Sequence, residues 1–286
     1  MSVVIGCLAA SVPNDRAEAR VGHTPEPQPD LRQLLHDNDI ASLDVYLTSL
    51  QKNFESGKAT EVQLRDTYRA FYRLDPPSIQ NLNQWVASKR TYVSLLARGT
   101  YLMKQGEEAR GGNYVSDTSQ DRLDAMENFF SRADADFVTS RSLTKKPYLT
   151  VYHQLNITMR EAQPEESAKL IQAANQMLPN NALARDRYIG TLMPRWGGSY
   201  EQAQAFIERA KHERLAKINI MQLQALLEDD LGRTAESNGD EASKVRHYAN
   251  ALSIGVRVGG DFRKSFLDFA NSWACSSEFP SPLCQP

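Results

Sequence analysis

The sequence predicts an all-α protein built as a stack of helical hairpins, and two observations support this prediction. Apolar residues recur three and four positions apart along most of the chain, which is the spacing of one helix face. Runs rich in Val, Ile and Thr with a period of two are missing, so no substantial β-sheet is expected. At 286 residues, 41% of them hydrophobic and 24% charged, the chain is long enough to bury a sizeable core.

The clearest hairpin is predicted within Asn181–Ala210. A first helix is expected over Leu183–Met193, followed by a sharp loop at Pro194–Gly198. Proline cannot continue a helix, and two glycines permit left-handed backbone angles. A second helix is expected to begin at Ser199, because its hydroxyl and the side chain of Gln202 can form a capping box.

A large residue followed three positions later by alanine recurs four times. The pairs are Phe130/Ala133, Ile171/Ala174, Ile207/Ala210 and Tyr248/Ala251. Small and large residues on one face let a neighbouring helix approach closely. The intervals of 41, 36 and 41 residues exceed the roughly 34 residues of a tetratricopeptide unit. The pattern therefore predicts degenerate, tetratricopeptide-like repeats, which form an α-solenoid.

Capping signals and turn residues place the other helices. A short helix is expected from Asp30, a longer one over about 40–55, and a third from Thr60, which can form a capping box with Gln63. Further helices are expected at about 78–86, 91–108, 120–140, 148–161, 165–178, 215–231 and 241–254, with a last helix after Gly259-Gly260.

Three parts are expected along the chain. Residues 11–29 are polar and contain four prolines, which predicts that residues 1–29 are a flexible lead-in that forms no core. Residues 30–105 fit the repeat pattern less well and are interpreted as an N-terminal helical subdomain or a cap. Residues 106–286 are expected to contain the degenerate repeats and a C-terminal capping helix.

Two glycine-rich loops resemble a known family. The stretches EARGGNYVSDT (Glu108–Thr118) and LMPRWGGSYE (Leu192–Glu201) resemble the bacterial domain of unknown function 4034 family, and PRWGGS is the most specific part. The resemblance covers roughly residues 40–215. It implies a tetratricopeptide-like fold without established catalytic activity. For some relatives it also implies a role as immunity proteins, which neutralise toxins that bacteria deliver by secretion systems such as type VI.

Motifs for catalysis and metal binding are missing from the sequence. The five histidines are His23, His36, His153, His212 and His247. None stands three or four residues from another histidine or a cysteine, so zinc spacing is absent. There is no P-loop and no nucleophile elbow. We therefore expect no metal and no cofactor, and we rank an enzyme with an unrecognised site below a binding protein.

Four side chains in the two glycine-rich loops are the candidates for contact with a protein partner. They are Arg110, Tyr114, Arg195 and Trp196. Arg and aromatic residues dominate the binding energy of protein interfaces. The alternative for Trp196 is that it folds back and fills the gap between hairpins, and Arg110 and Tyr114 carry the same ambiguity. The two loops would form one site if they lie at the same end of the stack.

The first functional hypothesis is an immunity protein that binds a secreted toxin, such as a nuclease. The second is a scaffold or adaptor that binds peptide segments. A net charge of −2 gives no support for nucleic-acid binding, and no apolar run approaches the roughly 18 residues of a membrane span. A homodimer is left open by the sequence.

The compartment is expected to be the cytoplasm, with the periplasm as the alternative. A short lipoprotein-like start precedes Cys7, but it lacks basic residues and a longer apolar stretch. Cys275 and Cys284 flank a proline-containing loop and are close enough in sequence for a disulfide bridge, which would form only in an oxidising compartment.

Overall fold

The structure is a computed structural model that describes residues 29–112 and 117–258. Within these ranges the chain consists of α-helices joined by turns and short 3₁₀ segments, without a strand, which confirms the predicted all-α helical-repeat stack. The helices are α1 (Leu31–His36), α2 (Ile40–Glu55), α3 (Glu61–Tyr68), α4 (Pro76–Ser88), α5 (Tyr92–Arg110), α6 (Gln120–Arg141), α7 (Tyr148–Arg160), α8 (Pro164–Met177), α9 (Leu183–Thr191), α10 (Tyr200–His212), α11 (Lys217–Ser237) and α12 (Glu241–Val258).

Local capping signals set several of the helix starts. The predicted capping boxes are confirmed at Thr60 with Gln63 and at Ser199 with Gln202, and these boxes begin α3 and α10. Helix α4 begins at Pro76 rather than at the expected Ser78. Proline suits the first helical position because no intrahelical hydrogen bond is required of its nitrogen there.

The large-x-x-Ala positions are buried, as the repeat pattern predicts. None of the eight residues in the four pairs is more than 5% exposed. In two of the hairpins a glycine of the first helix faces the large residue of the second. A Cβ at Gly106 would lie 2.6 Å from the Phe130 ring, and one at Gly232 would lie 2.4 Å from the Tyr248 ring. These glycines let α5 approach α6 and α11 approach α12.

Helix α11 is longer than the sequence suggested. The expected end at residue 231 is wrong, because the helix continues to Ser237 and turns at Gly239, whose φ is +71°. Its last turns are held by the close contact between Gly232 and Tyr248 of α12. Helix α12 likewise runs to Val258, beyond the expected end at residue 254.

The hairpin of α9 and α10 is more open than the other hairpins. Helix α9 packs against α7, α8 and α11, whereas α10 packs against α11. The two helices of the hairpin meet through an edge-to-face contact between Tyr188 and Phe206, whose ring centroids are 5.1 Å apart. The connecting loop contains a 3₁₀ turn, Pro194–Trp196, and Gly197 with a φ of +88°.

The N-terminal helices are joined to the repeat helices by two carboxylates. Glu55, at the end of α2, accepts the backbone N–H groups of Lys145 and Lys146, just before α7. Glu61, in the first turn of α3, accepts the N–H of Ala182 at 2.6 Å, at the start of α9. Negative groups are favoured at helix N-termini, because the helix dipole places partial positive charge there.

Helix α7 is covered along its length. Every residue from Tyr148 to Met159 is buried, and α3, α5, α6, α8 and α9 pack around it. Residues 31–258, where described, belong to one compact unit. The boundary proposed after residue 105 falls inside α5.

Several predictions concern residues outside the described ranges. These are the lead-in up to residue 28, Tyr114, the last helix after Gly259, and the three cysteines. Among the residues that are described, no helix combines the length and apolar character needed to cross a membrane.

Candidate functional site

An open groove lies between α8 and α10, with α9 as its floor. We call it the α8–α10 groove. It encloses about 840 Å³, within the roughly 300–1,000 Å³ of pockets that bind ligands. Its lining residues are Ala168, Ile171, Gln172, Asn175, Gln176, Pro179, Arg185, Tyr188, Leu192, Gln202, Ala205, Phe206, Arg209 and Glu213.

The groove runs along α9, from Leu192 at one end to Arg185 at the other. Seven residues of helix separate these ends, which gives a length of about 10 Å. An extended peptide rises about 3.3 Å per residue, so the groove floor spans roughly three residues of an extended chain. The Leu192 end adjoins the Pro194–Trp196 turn.

Arg185 is the most unusual side chain of the groove. It is 3% exposed, and its Nη2 donates to the carbonyl oxygen of Pro179 at 3.2 Å and to a carboxylate oxygen of Glu213 at 3.3 Å. Its Nε and Nη1 have no hydrogen-bond partner among the described residues. A buried donor without a partner costs about 1–3 kcal/mol, so this arrangement is poorly suited to stability alone.

The positions of Arg185 and Glu213 are also unfavourable in their own helices. Arg185 stands in the first turn of α9, and Glu213 is the C-cap of α10. The helix dipole disfavours a cation at an N-terminus and an anion at a C-terminus. Both charges therefore stand at the wrong helix end, and their mutual attraction offsets part of this cost.

The middle of the groove is apolar and aromatic. Tyr188 and Phe206 form its edge-to-face pair, and Ile171 is buried beside them. Burial raises the pKa of Tyr188, and the nearby Arg209 opposes this shift. The Tyr188 hydroxyl is therefore neutral at physiological pH and able to donate a hydrogen bond.

Arg195 and Trp196 stand beside the groove without lining it. The exposed Arg195 forms an ion pair with Asp230 of α11 at 2.7 Å, and the carboxylate is 4% exposed. Trp196 is partly buried, packs against the core, and has the guanidinium of Arg160 at 5.9 Å from its ring centroid. This contact is the arrangement expected if Trp196 fills a gap between helices.

Arg110 is buried, and Tyr114 lies outside the described residues. Arg110 is 6% exposed, and its Nη1 donates to the carbonyl oxygen of Gly111 at 3.3 Å. Burial lowers the pKa of Arg160, Glu107 opposes this shift, and Arg110 adds to it. Arg160 thus contacts Trp196 and is repelled by the charge of Arg110.

A second groove lies on the other side of α8, between α6 and α8. We call it the α6–α8 groove, and it encloses about 350 Å³. Four carboxylates and one guanidinium line it, from Glu127, Asp134, Glu161, Glu166 and Arg141. Burial raises the pKa of Glu161, and the neighbouring Asp134 and Glu127 raise it further. The two grooves therefore carry opposite charge.

A strongly perturbed carboxyl group lies away from both grooves. Burial raises the pKa of Asp186 to about 8, although a hydrogen bond from Gln222 opposes the shift. Asp186 lines neither groove. Among residues 29–112 and 117–258, no three His, Cys, Asp or Glu side chains are arranged to hold a metal ion.

Sequence reasoning missed the pair of Arg185 and Glu213. The two residues are separated by 28 positions and belong to no local motif. The available signal was weak: each charge stands at the end of a predicted helix where the dipole disfavours it. Tyr188 and Phe206 carry no sequence signal beyond the apolar spacing of one helix face.

The structure is therefore that of an all-α helical-repeat protein with an open, partly basic groove. Comparisons with protein-family models, curated proteins and solved structures found no match to the chain. Function is therefore inferred from the geometry of the groove and from the resemblance of the two glycine-rich loops.

Proposed function

We propose that this chain is a non-catalytic protein-binding module, and that it acts as an immunity protein for a secreted bacterial toxin. The observation that carries the binding function is the α8–α10 groove, with its aromatic centre and its incompletely bonded Arg185. The assignment to immunity comes from the resemblance to the domain of unknown function 4034 family. The expected cytoplasmic location implies a toxin with a cytoplasmic target, such as a nuclease, with a periplasmic toxin as the alternative.

The composition of the groove supports binding to a protein. Interfaces are enriched in Tyr, Phe and Arg, and a few such residues supply most of the binding energy. Tyr188, Phe206 and Arg209 stand together in the groove, and the exposed Arg195 lies beyond its Leu192 end. We propose that Arg195 and Trp196 form the rim of the same interface.

The packing of the N-terminal helices limits where a partner can bind. Helix α7 is buried along its length, and the N-terminal helices pack against it and against α5. The N-terminal helices therefore cover these faces of α5 and α7, and a partner cannot bind there. The α8–α10 groove is open, so we place the partner there.

A scaffold or adaptor that binds peptide segments is the second candidate. The observation that favours it is the limited length of the groove, which suits a short segment better than a whole folded surface. An enzyme is ranked third, since the perturbed Asp186 lies outside both grooves.

The test is affinity capture of the tagged full chain from its native cells, followed by co-expression of each captured protein. We expect one dominant partner that is toxic alone and harmless when this chain is present. Arg209→Glu reverses an exposed charge of the groove and is expected to abolish capture. Arg90→Glu, an exposed change outside both grooves, is the matched control and is expected to retain it.

Two outcomes would contradict immunity. Many weak partners without toxicity would favour the adaptor. A toxic partner that this chain binds but does not neutralise would exclude the immunity role while leaving protein binding intact.

A further inference from the structure

We infer that the α8–α10 groove binds an acidic peptide segment of its protein partner, and that Arg185 receives a side-chain carboxylate of that segment. This inference rests on the proposed protein-binding function and adds the chemistry of the bound segment. It depends on the hydrogen bonding of Arg185, the position of Glu213, and the remaining lining of the groove.

The guanidinium of Arg185 has unused donors. An arginine carries five N–H groups and no acceptor, and a carboxylate can take two of them in parallel. In this chain only Nη2 is hydrogen-bonded to described residues, while Nε and Nη1 are not. A ligand carboxylate that displaces Glu213 from Nη2 can therefore bond Nη2 together with either Nε or Nη1, a two-point contact that the free protein lacks.

Glu213 occupies the place of that carboxylate in the free protein. Its bond to Arg185 is 3.3 Å long, whereas charge-assisted hydrogen bonds are typically about 2.7–2.9 Å. The Glu213 side chain is 46% exposed, so it can turn into solvent without unpacking the core. A ligand carboxylate would replace a long single bond by a two-point contact and release Glu213 to water.

The rest of the groove fits a segment that is both acidic and apolar. Arg209 provides a second, exposed cation on α10, the wall of the groove that ends at Glu213. Gln172 and Gln202 place amide groups on the opposite walls, where they can bond a peptide backbone. Phe206 and Tyr188 offer an apolar surface for the side chain next to the acidic one.

The α6–α8 groove repels such a segment, because four carboxylates line it. The acidic segment is therefore expected to choose the α8–α10 groove. The charge of the segment, rather than its apolar content, therefore decides which of the two grooves it binds.

The test uses the full chain and two libraries of N-acetylated, C-amidated nonapeptides labelled with an uncharged dye. One library has Glu fixed at the centre between two leucines, and its twin has Gln there. Fluorescence polarisation is expected to show that wild type binds the Glu library at least about tenfold more tightly. Arg185→Met is expected to remove this preference, and Arg90→Met, a change of charge outside the grooves, to retain it.

Glu213→Gln provides a second test that does not depend on replacing a buried residue. Removing the internal competitor is expected to raise affinity for the Glu library about threefold or more. The inference would be overturned if wild type bound the two libraries equally or bound neither of them. It would also be overturned if Glu213→Gln bound the Glu library no more tightly than wild type does.

The two proposals fail separately. A single captured partner combined with no preference for Glu would leave the protein-binding function and remove the acidic segment. A clear preference for Glu without any captured partner would support the site and remove the immunity role.

Discussion

The two grooves on either side of α8 share one helix but differ in charge and in internal hydrogen bonding. In the α6–α8 groove three of the four carboxylates accept a hydrogen bond from this chain: Asp134 from Gln154 at 2.7 Å, Glu161 from Gln163 at 2.9 Å and Glu166 from Lys169 at 3.0 Å. In the α8–α10 groove Arg185 is buried, and two of its nitrogens have no hydrogen-bond partner within the described part of the chain.

This difference shows why charge alone does not define a binding site. A carboxylate that already accepts internal hydrogen bonds gains little from a ligand, because one bond replaces another. A buried guanidinium with free donors gains the full value of a new charge-assisted bond. The α8–α10 groove is thus the better candidate, although fewer charges line it.

The largest expected effect concerns the phenylalanine that lines each groove. Phe130 is fully buried against Gly106, whereas Phe206 borders open space on one side. We expect Phe130→Ala to cost about 4 kcal/mol of unfolding free energy and Phe206→Ala about half of that. Urea denaturation measures both, and equal losses would show that the wall of the α8–α10 groove is ordinary core.

The next effect concerns Asp186, which belongs to α9 and lines neither groove. Because burial raises its pKa from 3.8 to about 8, the folded protein retains a proton that the unfolded chain releases near pH 4. The favourable contribution is therefore fully present below pH 4 and is lost as the pH rises through 8. We expect wild type to lose on the order of 4 kcal/mol between pH 5 and pH 9 from this group.

Asp186→Asn is expected to abolish that loss, and the difference between the two proteins isolates Asp186. Burial lowers the pKa of His153 to about 3, so folding stability also falls as the pH drops below 6.5. Both proteins share this acid-side loss. Parallel stability curves above pH 5 would contradict the assignment of Asp186.

A smaller effect is expected where the α9–α10 loop meets α11. Arg195→Gln removes the ion pair to Asp230, whose pKa burial raises and Arg195 lowers. The loss of a partner for this buried carboxylate is expected to cost about 1–2 kcal/mol. Arg209→Gln, at an exposed groove position, is the matched control, with an expected change below about 0.5 kcal/mol. A similar small change for both would show that Arg195 does not hold the loop.

The smallest effect tests the charge repulsion of the α6–α8 groove. Glu161→Gln is expected to stabilise the fold at pH 7 by about 0.5 kcal/mol, since it removes repulsion with Asp134 and Glu127. Glu165→Gln, in the first turn of α8, is expected to destabilise by about 0.3 kcal/mol through the helix dipole. Both changes are expected to shrink in 1 M salt. If both substitutions changed the stability in the same direction, the proposed repulsion between Glu161 and its two neighbouring carboxylates would be contradicted.

The sequence was informative wherever the deciding interactions are local. The capping boxes at Thr60 and Ser199 join residues three positions apart, and each set the start of its helix as predicted. The large-x-x-Ala pairs were found because one helix turn brings their members together. These signals were sufficient for the all-α fold class and for most helix positions.

The parts that were not predicted depend on contacts distant in sequence. Glu61 accepts the N–H of Ala182 at the start of α9 from 121 residues away, and no residue near Ala182 in the sequence indicates this contact. Arg110 was a candidate for partner contact from its glycine-rich loop, yet it is buried at the end of α5. The free donors of Arg185 depend on the packing of three helices, which no spacing rule describes.

The most direct test of partner binding in the α8–α10 groove is photocrosslinking in native cells. A photoreactive phenylalanine analogue would replace Gln172, an exposed residue of this groove, or Val138, an exposed residue of the α6–α8 groove. We predict one dominant protein adduct from position 172 and none from position 138. The same adduct from both positions, or an adduct from position 138 alone, would contradict the assignment of the binding site.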